Sequence, residues 1–257
     1  MLGFRARAGP FVFLSLMIAA FSFFETARAD HENIQNLLAR IPKSIIEAEN
    51  LALEKGVPSA VVGRFRAVTP IVVEITAFSK EYNYGSSGSG VLIADDLVLS
   101  ALHIFPAFEE LISSKRLRVR VFINGEIVLG YIPDKRYYDI KSDLVAIKLL
   151  EKIPIVPVPI AQNDPAVGET VYSFGYAILD RPVRLNLEYV GDTYNSGQRY
   201  LVTTRSYEHG YSGSLLFNAR GEAIGVAAMA SERGAFGFTV PWETVLEFLK
   251  KIPEFKS

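Results

Sequence analysis

Residues 208–218 have the sequence EHGYSGSLLFN, in which Ser212 lies between two glycines and shortly before the apolar run Leu215–Phe217. Such a run predicts a buried strand, which places the serine on the tight loop that leads into it. Glycines let backbone N–H groups converge beside a serine, and a hydroxyl becomes a nucleophile when a base takes its proton and donors stabilise the oxyanion. Taken alone, residues 210–214 do not distinguish a nucleophile loop from an ordinary turn.

Two further polar residues stand at the ends of apolar segments earlier in the chain. His103 follows residues 97–102, and Asp143 precedes residues 144–147; both segments have the composition of strands. A histidine can act as the base for a serine, and a carboxylate can orient that histidine, although a lone histidine at a strand end is more often structural. The order along the chain is histidine, aspartate, serine.

Two nearby residues offer alternatives for these roles. Asp139 could replace Asp143 as the acid, but only Asp143 opens a strand with the D-L-V-A-I pattern. His209 lies three residues before Ser212 on the same loop, and this closeness favours a pocket wall over a general base.

Three motifs in this order resemble the chymotrypsin-like (trypsin-like) serine proteases, and more closely the bacterial branch around the HtrA and V8-type enzymes. The motifs are segment 88–93, which runs into His103, the D-L-x-x-[IL] strand that begins at Asp143, and the serine loop 210–214. The resemblance extends over roughly residues 67–241, most of the chain after its first 29 residues. The resemblance implies a hydrolase of peptide bonds, a serine-type endopeptidase.

The resemblance also implies a role for each residue of the site. Ser212 attacks the substrate carbonyl to form an acyl-enzyme, His103 takes the serine proton and returns it to the leaving amine, and Asp143 fixes the imidazole tautomer. The backbone N–H groups of Gly210 and Ser212 bind the oxyanion.

In trypsin-type relatives an aspartate just before the nucleophile pairs with a new N-terminus on activation. Tyr211 stands at that position, so we expect no such switch.

A pocket for the side chain before the scissile bond is implied in the same way. Its base lies six residues before the nucleophile, at Ser206, which has no charge to pair with a buried substrate Arg or Lys. Tyr207 fills part of the space, and Ala227 stands where glutamate-specific relatives place a histidine. We therefore expect cleavage after small or medium apolar residues such as alanine, valine or leucine. The residues expected to bind the substrate are Ser206, Tyr207, His209, Ala228 and Ala230.

Two other functions are compatible with parts of this pattern. A catalytically weak or inactive binding protein on the protease fold usually lacks one of the three site residues, and none is missing here. An esterase would use the same residue types, but its G-x-S-x-G elbow joins a strand to a helix, whereas a strand is expected to follow Ser212.

Composition narrows the classes of function. The 257 residues are 49% hydrophobic, which is enough to form a packed core. The formal net charge is −1, so there is no excess of basic residues that would indicate binding to nucleic acid. There is no cysteine, and the three histidines lack a metal-binding spacing, so we expect neither a metal nor another cofactor. The expected partner is a protein or peptide substrate, and the sequence does not define an oligomeric state.

Residues 1–29 predict a secretory signal peptide. Arg5 and Arg7 precede the apolar run 11–24, and the small-x-small site at 27–29 follows it. The run is short for a membrane span, which needs about 20 apolar residues. An uncleaved anchor is the alternative, and it would be the chain's only membrane contact. We expect the protein to be exported, either periplasmic or extracellular.

Helices are expected before and after the body of the chain. Residues 30–66 form an N-terminal helical segment, which could pack on the rest of the protein or on a partner. Residues 242–251 form a C-terminal helix. Residues 67–257 make up one protease domain, and we expect no PDZ domain of the kind that follows in a full HtrA protein.

Between the helices, the periodicity predicts an all-β fold. Short apolar segments alternate with turn residues, and no helical period interrupts them. Asn124-Gly125 is typical of a two-residue hairpin loop, and residues 82–90 are expected to form a Gly/Ser-rich turn. The expected architecture is the double six-stranded β-barrel of chymotrypsin-like enzymes, with barrels at 67–150 and 160–240.

Overall fold

A computed structural model describes the part of the chain that contains the three motifs. The described residues are 72–79, 84–105, 118–123, 126–154, 158–177, 181–205, 207, 209–231 and 235–255. All of them belong to one compact unit, Glu49–Ser257. The signal peptide, the N-terminal helices, the Asn124-Gly125 turn and Ser206 lie outside the described residues.

The first half of the described chain forms an antiparallel sheet that curls on itself. Its strands are β1 (Val72–Ser79), β2 (Tyr84–Ala94), β3 (Leu97–Ala101), β4 (Arg118–Ile123), β5 (Glu126–Tyr131), β6 (Tyr138–Asp139) and β7 (Leu144–Leu149). The order is β3-β2-β1-β4-β5-β7-β6, and β3 also pairs with β7. That additional pairing connects six strands in a ring.

The second half forms a closed barrel followed by a helix. Its strands are β8 (Thr170–Ala177), β9 (Arg181–Asn195), β10 (Gln198–Thr204), β11 (Leu215–Phe217), β12 (Ala223–Ala230) and β13 (Phe236–Pro241). They close in the order β10-β13-β12-β11-β8-β9. The helix α1 is Trp242–Leu249. The prediction of a chymotrypsin-like double β-barrel is confirmed.

The predicted turn at 82–90 is wrong, because residues 84–90 form the first part of β2. β2 pairs with β1 over eight positions, from Val72↔Val91 to Ser79↔Tyr84, and this backbone pairing overrides the low strand propensity of Gly and Ser. A side chain at Gly88 would be crowded, since its Cβ would lie 2.8 Å from the Ile104 side chain and 3.1 Å from the carbonyl oxygen of Ser212. The glycines mark a close backbone approach.

The alternating apolar residues of the strands form the core. The interior of the second barrel contains Val171, Leu187, Leu201, Tyr211, Leu216 and Ala227. Buried side chains of the first barrel, such as Leu99 and Ile147, belong to a second cluster that continues to α1. In α1, Val245, Phe248 and Leu249 are buried, as expected for residues on one helical face. No helix in the described part of the chain is long and apolar enough to cross a membrane.

The segment after α1 contacts the first barrel beside the turn that leads to Asp143. Lys251 Nζ lies 2.6 Å from Oδ2 of Asp139, and Glu254 accepts a hydrogen bond from the Tyr137 hydroxyl. That hydrogen bond lowers the pKa of Glu254 below its ordinary value. The C-terminal segment therefore holds the two halves of the fold together near the candidate site.

Candidate active site

The pairing of β3 with β7 brings His103 and Asp143 together. Ala101, the last residue of β3, faces Leu144, the first residue of β7. His103 lies in the short 3-10 turn just after β3, and Asp143 directly precedes β7. The Leu102 N–H also donates to the carbonyl oxygen of Asp143 at 2.9 Å. Strands far apart in sequence thereby place the two side chains at one end of the first barrel.

Both carboxylate oxygens of Asp143 contact His103. The His103 N–H donates to Oδ1 at 2.8 Å, and the ring nitrogen Nδ1 lies 2.6 Å from Oδ2. Asp143 has φ 56°, in the left-handed region that aspartate tolerates better than most residues. Its carboxylate is largely shielded, with 17% of the side chain exposed against 44% for His103. The carboxylate therefore fixes the orientation of the imidazole from one side.

Ser212 completes the arrangement from the loop between β10 and β11. Its Oγ lies 2.7 Å from Nε2 of His103. A histidine that donates from Nδ1 to a carboxylate presents Nε2 as the acceptor for a hydroxyl proton. The three residues singled out from the sequence thus form one continuous hydrogen-bonded chain.

The alternative acid, Asp139, makes different contacts. Its Oδ2 contacts Lys251, and its Oδ1 accepts the N–H groups of Lys141 and Ser142 at 3.0 and 3.3 Å. Burial alone would raise the pKa of Asp139, but these hydrogen bonds lower it below its ordinary value. Asp139 therefore shapes the turn before Asp143. It makes no hydrogen bond to His103 among the described contacts.

The loop around Ser212 depends on glycine conformations. Gly210 has φ 94° and Gly213 has φ 87°, which are left-handed values that glycine adopts without strain. A Cβ at Gly213 would lie 2.1 Å from the carbonyl oxygen of Ser89. Within the described residues, the N–H groups of Gly210 and Ser212 donate to no protein acceptor. The donation of these two groups to an oxyanion, the role expected from the sequence, stays a prediction.

Ser89 on β2 contacts this loop, and the sequence analysis did not single it out. Its N–H donates to the Ser212 carbonyl at 2.8 Å, and its Oγ donates to the Gly210 carbonyl at 2.7 Å. The only sequence signal was its position between Gly88 and Gly90, which indicates a tightly packed strand. That signal does not reveal the partner.

The expected pocket residues lie on several sides of the loop. Tyr207 is buried, its ring stacks on Tyr211 with centroids 6.4 Å apart, and its hydroxyl hydrogen-bonds Thr239. Burial raises the pKa of Tyr207 to about 12, so the hydroxyl is neutral. A Cβ at Gly237 would lie 2.8 Å from the Tyr207 ring, and Ala230 pairs with Gly237 across β12 and β13. Tyr207 and Ala230 therefore flank the same position.

The other expected pocket residues differ in exposure. Ala228 is buried at a strand irregularity between Ala227 and Met229. His209 is exposed and makes no hydrogen bond among the described contacts. Ser206 lies outside the described residues, so its place at the pocket base stays a prediction.

The described residues contain no group of three or more His, Cys, Asp or Glu side chains placed to hold a metal ion. The expectation of a cofactor-free site stays a prediction.

Comparisons with known proteins identify the family of this chain. Residues 88–226 match the family model for the trypsin-like peptidase domain. Over 177 residues the chain is 28% identical to Putative protease Do-like 14 of Arabidopsis thaliana, covering 64% of this chain and 41% of that protein. Over 213 residues it is 26% identical to Serine protease HTRA3 of Homo sapiens, covering 74% and 45%. The chain spans less than half the length of these relatives.

Solved structures with the same fold include two bacterial proteases. The active form of the Rv3671c protease from M. tuberculosis has a TM-score of 0.64 at 19% identity, covering 74% of this chain and 84% of that one. The serine endoprotease from Yersinia pestis has a TM-score of 0.61 at 22% identity, covering 76% and 67%. At these low sequence identities, the similarity shows a shared fold.

Proposed function

This chain belongs to the trypsin-like peptidase family of serine endopeptidases and has relatives of the HtrA type, and from that premise we propose that it cleaves protein substrates through Ser212, His103 and Asp143. The observation that carries the proposal is the unbroken chain of hydrogen bonds from Asp143 through His103 to Ser212, at 2.6 and 2.7 Å. The same contacts favour an enzyme over a binding protein on an inactive protease fold, because such a protein has no need to maintain them.

The geometry supports a mechanism in two halves. Ser212 Oγ attacks the peptide carbonyl while Nε2 of His103 takes its proton. The imidazolium that forms is stabilised by Asp143, which accepts the Nδ1 proton in a hydrogen bond. The carbonyl oxygen becomes an oxyanion, and the N–H groups of Gly210 and Ser212 donate to it.

The collapse of that intermediate yields the acyl-enzyme. The C–N bond breaks, and His103 gives its proton to the leaving amine. A water molecule then attacks the ester carbon while His103 takes one water proton, and the second collapse returns that proton to Ser212 Oγ. The acid product leaves, and the enzyme is restored without any other reactant.

A digestion experiment tests this activity. Residues 30–257, purified and incubated with unfolded casein, are expected to produce peptides with new carboxyl termini. In water enriched in ¹⁸O those termini should carry the label, because water resolves the acyl-enzyme. Intact casein after prolonged incubation with a folded protein would contradict the proposal.

We propose cleavage after small or medium apolar side chains, because Tyr207, which is expected to line the pocket, is buried and held in place. Its ring packs against Gly237 and is held by the hydrogen bond of its hydroxyl to Thr239. A large substrate side chain would have to displace a buried aromatic ring, and a basic one would lose its hydration without a carboxylate among the described pocket residues. Alanine, valine and leucine fit these limits.

Replacing Tyr207 by alanine is expected to enlarge this pocket. The ratio of kcat/KM for phenylalanine over alanine before the scissile bond should rise about 10-fold or more, given 1–3 kcal/mol of discrimination per methylene. A peptide library measures the ratio. Tyr194→Ala is the matched control, since Tyr194 is 70% exposed on β9, and it should leave the ratio unchanged.

Tyr207→Ala leaves a cavity and should lower stability. A second variant therefore separates the loss of the ring from the loss of the hydroxyl. Tyr207→Phe keeps the ring and should retain the preference of the wild type. Dominant wild-type cuts after Arg, Lys or Glu would overturn the proposed specificity.

We further propose that the protein is exported and that residues 1–29 are removed after Ala29. The support is the basic start, the apolar run and the small-x-small site of the sequence. N-terminal analysis of the secreted protein, expressed in a bacterium, should find Asp30 first. Retention of the apolar run in a membrane-bound product would favour the anchor instead.

Additional residues before Asp30 are expected to leave kcat/KM within about twofold of the value for a protein that begins at Asp30. The reason is Tyr211, which is fully buried in the second barrel where an activation switch would need a carboxylate. Peptide hydrolysis by the two proteins makes the comparison. A strict requirement for one defined N-terminus would show that a switch exists.

A further inference from the structure

Ser89 on β2 binds the loop that contains Ser212 through both its side chain and its backbone. Among the described contacts, no other residue of β2 does so. It is fully buried. Its Oγ donates to the Gly210 carbonyl at 2.7 Å and accepts the N–H of Tyr176, on β8, at 2.8 Å. One hydroxyl of the first barrel therefore binds both the serine loop and a strand of the second barrel.

The distances from Ser89 Oγ to its two possible acceptors show where the hydroxyl proton points. The other acceptor near Oγ is the Tyr176 carbonyl, at 3.4 Å, which is a much weaker contact than the 2.7 Å to Gly210. The Ser89 N–H donates in addition to the Ser212 carbonyl at 2.8 Å. Ser89 thus holds the peptide group after Gly210 and the peptide group after Ser212.

These two peptide groups bracket the donors of the oxyanion site. The N–H of Gly210 comes just before the first anchored peptide, and the N–H of Ser212 lies between the two. Gly210 has φ 94°, and glycine can adopt many other backbone angles at low cost. Each donor N–H belongs to a peptide that adjoins an anchored one, so without the anchor on the Gly210 carbonyl the loop could shift and change the direction of both N–H groups.

We propose that Ser89 is a positioning residue for the oxyanion site, acting through its hydroxyl on the Gly210 carbonyl. The inference rests on the proposed peptidase function and adds a group that never touches the substrate. Oxyanion donors stabilise the transition state only when they are already aimed at the developing charge. Loss of the anchor should therefore lower kcat and leave substrate binding nearly unchanged.

The experiment compares Ser89→Ala with a matched control, Ser173→Ala. Ser173 is another buried serine, and its hydroxyl pairs with that of Ser214 at 3.1 Å. For each variant, kcat and KM are measured with a peptide amide, Ki with a peptide boronic acid, and Tm by thermal unfolding. The boronic acid forms a tetrahedral adduct on the nucleophile and so reports on the oxyanion site.

For Ser89→Ala we expect kcat to fall about 10- to 100-fold, with KM within about twofold. The boronic acid Ki should rise in parallel with the loss in kcat. Ser173→Ala should lower Tm by a similar amount, because it also removes a buried hydroxyl, yet keep kcat and Ki near those of the wild type. That contrast separates a positioning role from general destabilisation.

If Ser89→Ala does not fold, Ser89→Cys replaces it in the comparison, since a thiol leaves no cavity but donates weakly. If the folded Ser89 variant has the same kcat and the same Ki as Ser173→Ala, the inference is overturned. A wild-type protein that neither hydrolyses the peptide nor binds the boronic acid would instead contradict the proposed function.

Discussion

Replacement of Ser212 by alanine is expected to remove nearly all peptidase activity, and replacement of His103 by alanine is expected to remove a comparable amount. The two side chains are 2.7 Å apart and act in one proton transfer. Ser212→Ala lacks the nucleophile, and His103→Ala lacks the base that activates it. Each loss in kcat should be roughly 10⁴- to 10⁶-fold.

Because the residues act as a unit, the double variant should be little worse than either single one. A residual acceleration of about 10³–10⁴ over water should survive from substrate binding and the oxyanion donors. Hydrolysis of one peptide amide by all the variants gives the comparison. Ser196→Ala is the control, since Ser196 is exposed in the turn between β9 and β10. A Ser212→Ala protein with normal activity would contradict the assignment.

Asp143→Asn is expected to lower kcat by about 10⁴-fold. The carboxylate accepts hydrogen bonds from the N–H and from Nδ1 of His103. An amide group in its place can donate to Nδ1, which then leaves the proton on Nε2 and removes the acceptor that Ser212 needs. KM should change little, because in the proposed mechanism Asp143 acts through His103 and not on the substrate.

Asp139→Asn is the matched control for this variant. Asp139 lies four residues earlier and pairs with Lys251, so the same chemical change there should leave kcat within about threefold of the wild type. Steady-state kinetics on both proteins make the test. A larger loss in Asp139→Asn than in Asp143→Asn would reverse the assignment of the acid.

The residue types of the site could be predicted from the sequence because each stands beside a strongly apolar segment. The segments before His103 and after Asp143 became β3 and β7, and the run after Ser212 became β11. Their order matched a known family, and that match supplied the double barrel. The pairing of Ala101 with Leu144, which creates the contact, has no local signal.

The interpretation of residues 82–90 failed because local propensity was taken as decisive. Glycine and serine usually indicate a turn, but here the small residues allow β2 to pass against the serine loop, with Gly88 close to the Ser212 carbonyl. The role of Ser89 was hidden for the same reason. A side chain whose partners lie 87 and 121 residues away cannot be interpreted from its neighbours.

Labelling with a peptide phosphonate tests the central claim most directly. The probe reacts with a serine only when a base activates it and an oxyanion site holds the adduct. After digestion and mass spectrometry, we expect one adduct per chain, on Ser212, and none in a folded His103→Ala variant. A folded wild-type protein that takes up no label, or takes it up on another residue, would contradict this account.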